Sequence, residues 1–96
     1  MTLQDFVQAH RDDILLAATK HGARNVRVFG SLARGEADDQ SDIDLLVDFD
    51  PGRSLMDHAA LILELEDLLG KKVDVASERG LRTRVRERVL REATAL

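Results

Sequence analysis

Cysteine, tryptophan and tyrosine are all missing from this 96-residue chain, and phenylalanine occurs only three times. Without cysteine there is no disulfide and no thiolate zinc site, and a reducing cytoplasm is the compartment the chain is expected to occupy. With so few aromatic rings the core must be aliphatic, and binding of single-stranded nucleic acid by base stacking is disfavoured. No run reaches the ~18 apolar residues of a membrane span. The opening MTLQDFVQAHRDD lacks the charged and apolar regions of a signal peptide, so no membrane partner is expected.

What is present suits one globular domain over residues 1–96: 44% hydrophobic and 33% charged residues, at a length near the lower end of what folds on its own core. The net charge of −4 conceals a division. Residues 36–67 hold eleven acids and one base, Arg53, whereas residues 71–91 hold eight bases and three acids. An acidic total argues against direct DNA binding. The division predicts an acidic and a basic surface with different partners.

Hydrophobic spacing gives the elements. Thr2 can cap a first helix running to about Lys20, with Phe6, Val7, Ile14, Leu15 and Ala18 on its apolar face and His21-Gly22 as its stop. Asn25–Phe29 reads as a short alternating strand, closed by Gly30, with a brief helix from Ser31 to Arg34. From Asp42 to Asp50 the alternation puts Ile43, Leu45, Val47 and Phe49 on one face. Asp42, Asp44, Leu46, Asp48 and Asp50 take the other, which makes a strand with one buried and one largely acidic side. Pro51-Gly52 ends it. Ser54 with Asp57 resembles a capping box for a helix to about Leu69, and Gly70 stops that helix. Lys72–Ala76 is a third strand, and a last helix from about Leu81 would turn Leu81, Val85, Val89 and Leu90 inward. The fold class expected is α/β (α+β-like), a small mixed sheet of about three strands flanked by helices.

The chemistry concentrates in FGSLARGEADDQSDIDLLVDF, residues 29–49. Asp42 and Asp44, two apart on a strand, project to the same side with Cα atoms roughly 6.5–7 Å apart. Alone, such a pair is the wet face of a strand. Here it follows a strand–Gly-Ser–helix turn, whose backbone N–H groups suit an anion. Carboxylates repel a bare polyphosphate but attract it once loaded with Mg²⁺, and two metal ions can clamp the attacking and leaving oxygens of a phosphoryl displacement. The Gly30-Ser31 turn would hold the leaving polyphosphate and Arg34 would offset its charge. Asp74, between Val73 and Val75, is the candidate third carboxylate, as metal ligand or as base. Asp48 is its rival, about 13 Å further along the strand than Asp44.

Other motifs fit less well. Gly30 and Gly35 have the glycine spacing of a P-loop, but Glu36 stands where the lysine belongs. Ser54, Asp57 and His58 fall on one helical turn, where capping explains them better than a triad. His10, His21 and His58 lack metal-ligand spacing and read as surface or helix-end residues. Arg82, Arg84, Arg86, Arg88 and Arg91 form either a solvated face or a contact surface for an acidic partner or for phosphates.

Gly30-Ser31, ten residues, then Asp42-Ile43-Asp44, with Asp74 beyond, resembles the signature of the DNA polymerase β-like nucleotidyltransferases. GSLARGEADDQSDIDLLVDF, GKKVDVAS and LRTRVRERVLREA are together similar to the minimal nucleotidyltransferase (MNT, MntA-like) antitoxins, over nearly the whole chain. The resemblance implies a polymerase β-like palm fold and Mg²⁺-dependent transfer of AMP from ATP. The acceptor it implies is a tyrosine hydroxyl on a cognate HEPN-domain RNase toxin, which the modification neutralises. Asp42 and Asp44 would be metal ligands and Asp74 a ligand or base. Gly30 and Ser31 would hold the β- and γ-phosphates, with Arg34 and Ser41 as further nucleotide contacts. With no residues left for an acceptor-binding domain, a partner protein or a self-associated copy must supply that surface; a complex with the toxin is expected in cells, and a homodimer is one state open to the chain alone. Two other readings stay open: an antitoxin that only masks its partner, and a transferase acting on a small-molecule hydroxyl.

Overall fold

The computed structural model describes residues 1–96. Helices α1 (Leu3–Ala9) and α2 (Arg11–Lys20) precede strand β1 (Ala23–Phe29), the short α3 (Gly30–Ala33) and strand β2 (Ile43–Phe49). Helix α4 (Leu55–Leu69), strand β3 (Val73–Ser77), helix α5 (Thr83–Glu92) and strand β4 (Thr94–Ala95) complete the chain. The strands form one mixed sheet in the order β3-β2-β1-β4. β2 lies antiparallel to β1 and parallel to β3, as the α4 crossover requires.

The α/β class and the mixed sheet agree with the sequence, with a fourth strand of two residues in place of about three strands. β4 pairs with the β1 edge through Arg27 and Val28. Its neighbour Leu96 donates its N–H to the Val26 carbonyl, while the Leu96 carbonyl accepts from Arg11 Nε at 2.7 Å. Such a short strand carries almost no periodic signal of its own.

Local chemistry sets the helix ends. Thr2 with Asp5, and Ser54 with Asp57, close reciprocal capping boxes on α1 and α4. Gly70 ends α4 in the left-handed conformation, φ +64°. The single first helix expected to Lys20 is instead broken at His10, whose ring Nδ1 lies 2.9 Å from the Phe6 carbonyl. That side-chain contact occupies a carbonyl at the helix end.

Val7, Ile14, Leu61, Leu65, Leu45, Val47 and Val73 belong to one aliphatic core between the sheet and the helices, and all are nearly inaccessible. A bulge brings β1 into it. Arg24 pairs with Asp48 but Arg27 with Leu46, so β1 carries one extra residue, with Asn25 at φ +53°. The extra residue resets the alternation, so Ala23, Val26 and Val28 all face the core while Arg24 and Arg27 turn to the opposite side.

Leu46 and Val89 are buried but lie outside that core. Strand alternation puts Leu46 on the acidic face. α5 departs from the sequence expectation: only Val89 is buried on it, while Val85 and Leu90 are each 37% exposed. Two part-exposed ion pairs accompany that limited apolar burial. Arg86 meets Glu78 at 3.0 Å near its start and Glu92 meets Arg34 at 3.3 Å near its end.

Candidate active site

β2 runs through the middle of the site. Asp42 immediately precedes the strand, Asp44 is its second residue, and Asp44 is the register partner of Phe29 on one side and of Asp74 on the other. Neighbouring strands lie about 4.8 Å apart and register partners point to the same face. The pairing therefore sets Asp74 beside Asp44. Gly30 follows Phe29 and closes the third side. Its φ is +71°, and a Cβ there would overlap Asp44 Oδ2. Only glycine allows the turn and the close approach together.

The electrostatics follow from this crowding. Burial, followed by the negative charges of Asp74 and Asp42, pushes the Asp44 carboxyl up from its ordinary 3.8 to about 6, against a smaller opposing pull from Arg34. Arg34 projects just beyond α3, where Nε donates to Glu36 at 3.1 Å and a second nitrogen reaches Glu92. The hydrogen bond to Glu36 is the main cause raising its already high pKa. The Ser31 hydroxyl makes no hydrogen bond within the chain. Lys72, one residue before β3, brings Nζ to 4.0 Å from Asp42 Oδ2.

Gly30, Ser31, Asp42, Asp44 and Asp74 are thus gathered on one end of the sheet, with Arg34 at their side. Ser41 is engaged elsewhere: its Oγ accepts from the Asp38 N–H at 3.0 Å, in the turn that leads into β2. Asp48, the rival third carboxylate, belongs to a separate cluster. Burial would raise it, but hydrogen bonding from Asn25 and the charge of Arg27 outweigh that and hold it below the usual carboxylate range. Arg27 is only 12% exposed and joins Asp48 to Glu78, at 3.3 Å each, and Glu78 also binds Arg86. This network ties β1, β2, the turn after β3 and α5 together. A polar cleft of about 560 Å³, lined by residues including Asp48, Arg53, His58, Glu78 and Arg79, lies at this far end. None of the gathered site residues lines it.

The histidines have structural roles. His10 and His21 end α1 and α2, and His58 meets the Val75 carbonyl and packs beside Phe49 at 5.3 Å between ring centres. Ser54 and Asp57 are occupied as caps. Lys72 and Glu92 went unnoticed in the sequence. Lys72 was legible through its period-two spacing from Asp74, whereas Glu92 reaches Arg34 across 58 residues with no local signal. As they stand, no three His, Asp or Glu side chains converge on a ready-made metal-holding set. No helix is long and apolar enough to cross a membrane.

A mixed sheet with a Gly-Ser turn against a D-x-D strand, and a third carboxylate on the parallel neighbour, defines a class: the nucleotidyltransferase domain, whose family profile matches residues 14–96. Protein adenylyltransferase MntA of Thermococcus cleftensis is 38% identical over 90 residues, covering 94% of this chain and 88% of that protein. A candidate protein adenylyltransferase of Methanocaldococcus jannaschii is 46% identical over 74 residues, covering 77% of this chain and 80% of that one. A solved chain described as a candidate minimal nucleotidyltransferase superposes with a TM-score of 0.88 at 56% identity, covering 100% of this chain and 97% of that one. A chain of a toxin–antitoxin solved with AMP-PNP shares the fold, with a TM-score of 0.76 at 21% identity over 88% of this chain and 69% of its own. The chain belongs to the nucleotidyltransferase domain family, in its MntA-like minimal branch, and is a nucleotidyl-transferring enzyme.

Proposed function

We propose that the chain is a Mg²⁺-dependent protein adenylyltransferase and antitoxin. It transfers AMP from ATP to a tyrosine hydroxyl of a HEPN-domain RNase toxin and so neutralises it. The observation that carries this reading is the register of Asp44 against Asp74, with Gly30 pressed onto Asp44. The relative from T. cleftensis, named a protein adenylyltransferase, supports it.

Asp42, Asp44 and Asp74 would hold Mg²⁺, as two ions. When bound, the metal neutralises phosphate charge and polarises the reacting phosphoryl group. The donors fit. Carboxylate oxygens are the hard ligands Mg²⁺ takes, and Mg²⁺ keeps waters and borrows phosphate oxygens, so it needs no closed protein cage. Burial first, and then the charges of Asp74 and Asp42, lift Asp44, and a bound divalent cation would offset both.

The chain's own groups divide the remaining work. Gly30 and Ser31 receive the β- and γ-phosphates through backbone N–H groups and the free Ser31 hydroxyl. Arg34 exchanges Glu92 for phosphate oxygen. The acceptor oxygen attacks the α-phosphorus, the bond from that phosphorus to the bridging oxygen breaks, and pyrophosphate leaves. The hydroxyl proton passes to Asp74, which is exposed on its strand.

The test is to incubate the protein with a HEPN-domain partner, ATP and MgCl₂ and to weigh the partner by mass spectrometry. Addition of AMP is expected, and a folded pair that gains no nucleotide sinks the reading. A masking role has one observation in its favour: Leu16, Leu55, Met56 and Leu63 are each at least 68% exposed. An Asp42→Ala/Asp44→Ala protein that still protects cells fully at native expression would decide for masking.

A further inference from the structure

Two cations flank the carboxylates, on opposite sides of Asp44. Arg34 belongs to the α3 turn that follows β1, and Lys72 stands at the start of β3. β2 lies between them, because the sheet order is β3-β2-β1-β4. In an in-line displacement the leaving and attacking oxygens also stand on opposite sides of the phosphorus. If pyrophosphate departs toward the Gly30-Ser31 turn and Arg34, as proposed above, the attacking oxygen must arrive from the β3 side.

That side is open. β3 is the edge of the sheet, Asp74 is exposed, and the Lys72 side chain is 69% exposed. Residue 72 shares the face of Asp74, since Val73 and Val75 turn into the core. The Ile43 N–H donates to the Lys72 carbonyl at 3.0 Å, which pins the residue beside Asp42. The neighbouring Lys71 is turned away, over the Phe6 ring at 5.2 Å. Arg86 is held at Glu78. Lys72 is therefore the cation that the structure places beside Asp42 on the side where the acceptor must enter. An exposed pair at 4.0 Å adds little to stability, so the fold gives no reason for it.

We propose that Lys72 is a catalytic residue for the acceptor half of the reaction. Its ammonium stabilises the negative charge that develops on the attacking hydroxyl oxygen, while Asp74 takes the proton, and the acceptor protein approaches across the β3 edge. This rests on the nucleotidyl-transfer reading of the site. The oxygen–phosphorus bond forms as the bond to pyrophosphate breaks, and Lys72 neither gains nor loses a proton.

The experiment compares Lys72→Ala, Lys72→Arg and Arg34→Ala with the unaltered protein. Titration calorimetry with AMP-PNP and MgCl₂ reads nucleotide binding, and single-turnover transfer to the HEPN-domain partner at saturating ATP reads chemistry. Lys72→Ala should bind AMP-PNP within about 2-fold of the unaltered protein yet transfer about 10- to 100-fold more slowly, with Lys72→Arg recovering most of the rate. Arg34→Ala should show the reverse emphasis, with weakened nucleotide binding. Lys72→Ala that transfers at the unaltered rate, or that loses AMP-PNP binding as Arg34→Ala does, overturns the assignment. An unaltered protein that binds no AMP-PNP and transfers nothing overturns the nucleotidyl-transfer site itself, which is a separate failure.

Discussion

Gly30 and Asp44 compete for the same few ångströms. With φ at +71° and Asp44 Oδ2 in the space of a Cβ, Gly30→Ala must either move the carboxylate or unwind the turn. A left-handed alanine alone costs about 1–2 kcal/mol, so denaturant unfolding should register a loss of that order together with loss of transfer. Asp44 carries the opposite kind of strain. Its carboxyl titrates near 6 in the folded chain and near 3.8 ordinarily, so the folded state holds the extra proton between those values. Stability from this group is therefore present at pH 4 and lost as pH rises through 6. Asp44→Asn should raise the melting temperature of the metal-free protein at pH 7.5, leave it unchanged near pH 4, and abolish transfer. A melting curve in EDTA at the two pH values reads the difference.

Between elements, ion pairs link α5 to the α3 turn and to the turn after β3. α5 buries Val89 and is linked to the rest of the chain by Arg86–Glu78 and Arg34–Glu92. The second clamp occupies the arginine that the phosphate turn offers to a nucleotide. Glu92→Gln should therefore tighten AMP-PNP binding about 2- to 3-fold at low salt, with the gain shrinking at high salt because the pair is exposed and screened. Calorimetric titration at two ionic strengths checks both parts. The bulge at Asn25 works at the same scale, since without it Arg27 could not share a face with Asp48 while Ala23 and Val28 point into the core.

The molecule as a whole has little stability to spare. About 0.05–0.15 kcal/mol per residue is typical of folded domains, and the core here is one aliphatic cluster without tryptophan or tyrosine. Leu61 is fully inaccessible at its centre, so Leu61→Ala should cost about 2–5 kcal/mol, a large share of the total. A urea denaturation curve should show the midpoint collapse with little change in slope. Division of labour is also visible at this scale: helices α2 and α4 pack against one face of the sheet, while the opposite face carries the carboxylates at one end and the Arg27–Asp48–Glu78 network, tied to α5 by Arg86, at the other.

Strong local periodicity made most of this fold readable. The alternation from Asp42 to Asp50, the two capping boxes and the glycine stops announce themselves within a few residues, because one turn or one pleat settles each. The same locality placed Asp42 with Asp44 and set Gly30-Ser31 ahead of them. By itself, then, the sequence determined the α/β class, the core face of β2 and the carboxylate pair. It offered Asp74 as the third carboxylate with Asp48 as its rival, but strand alternation alone turns both outward and brings neither to Asp44. The parallel register of β3 on β2 decided it, through long-range backbone pairing that no short window contains. The break at His10, the bulge in β1, the exposed α5 and the Arg34–Glu92 clamp were likewise decided by tertiary structure. At α5 and the clamp, contacts distant in sequence outweighed a local preference worth only a fraction of a kcal/mol per residue, whereas the break at His10 comes with a side-chain contact only four residues away.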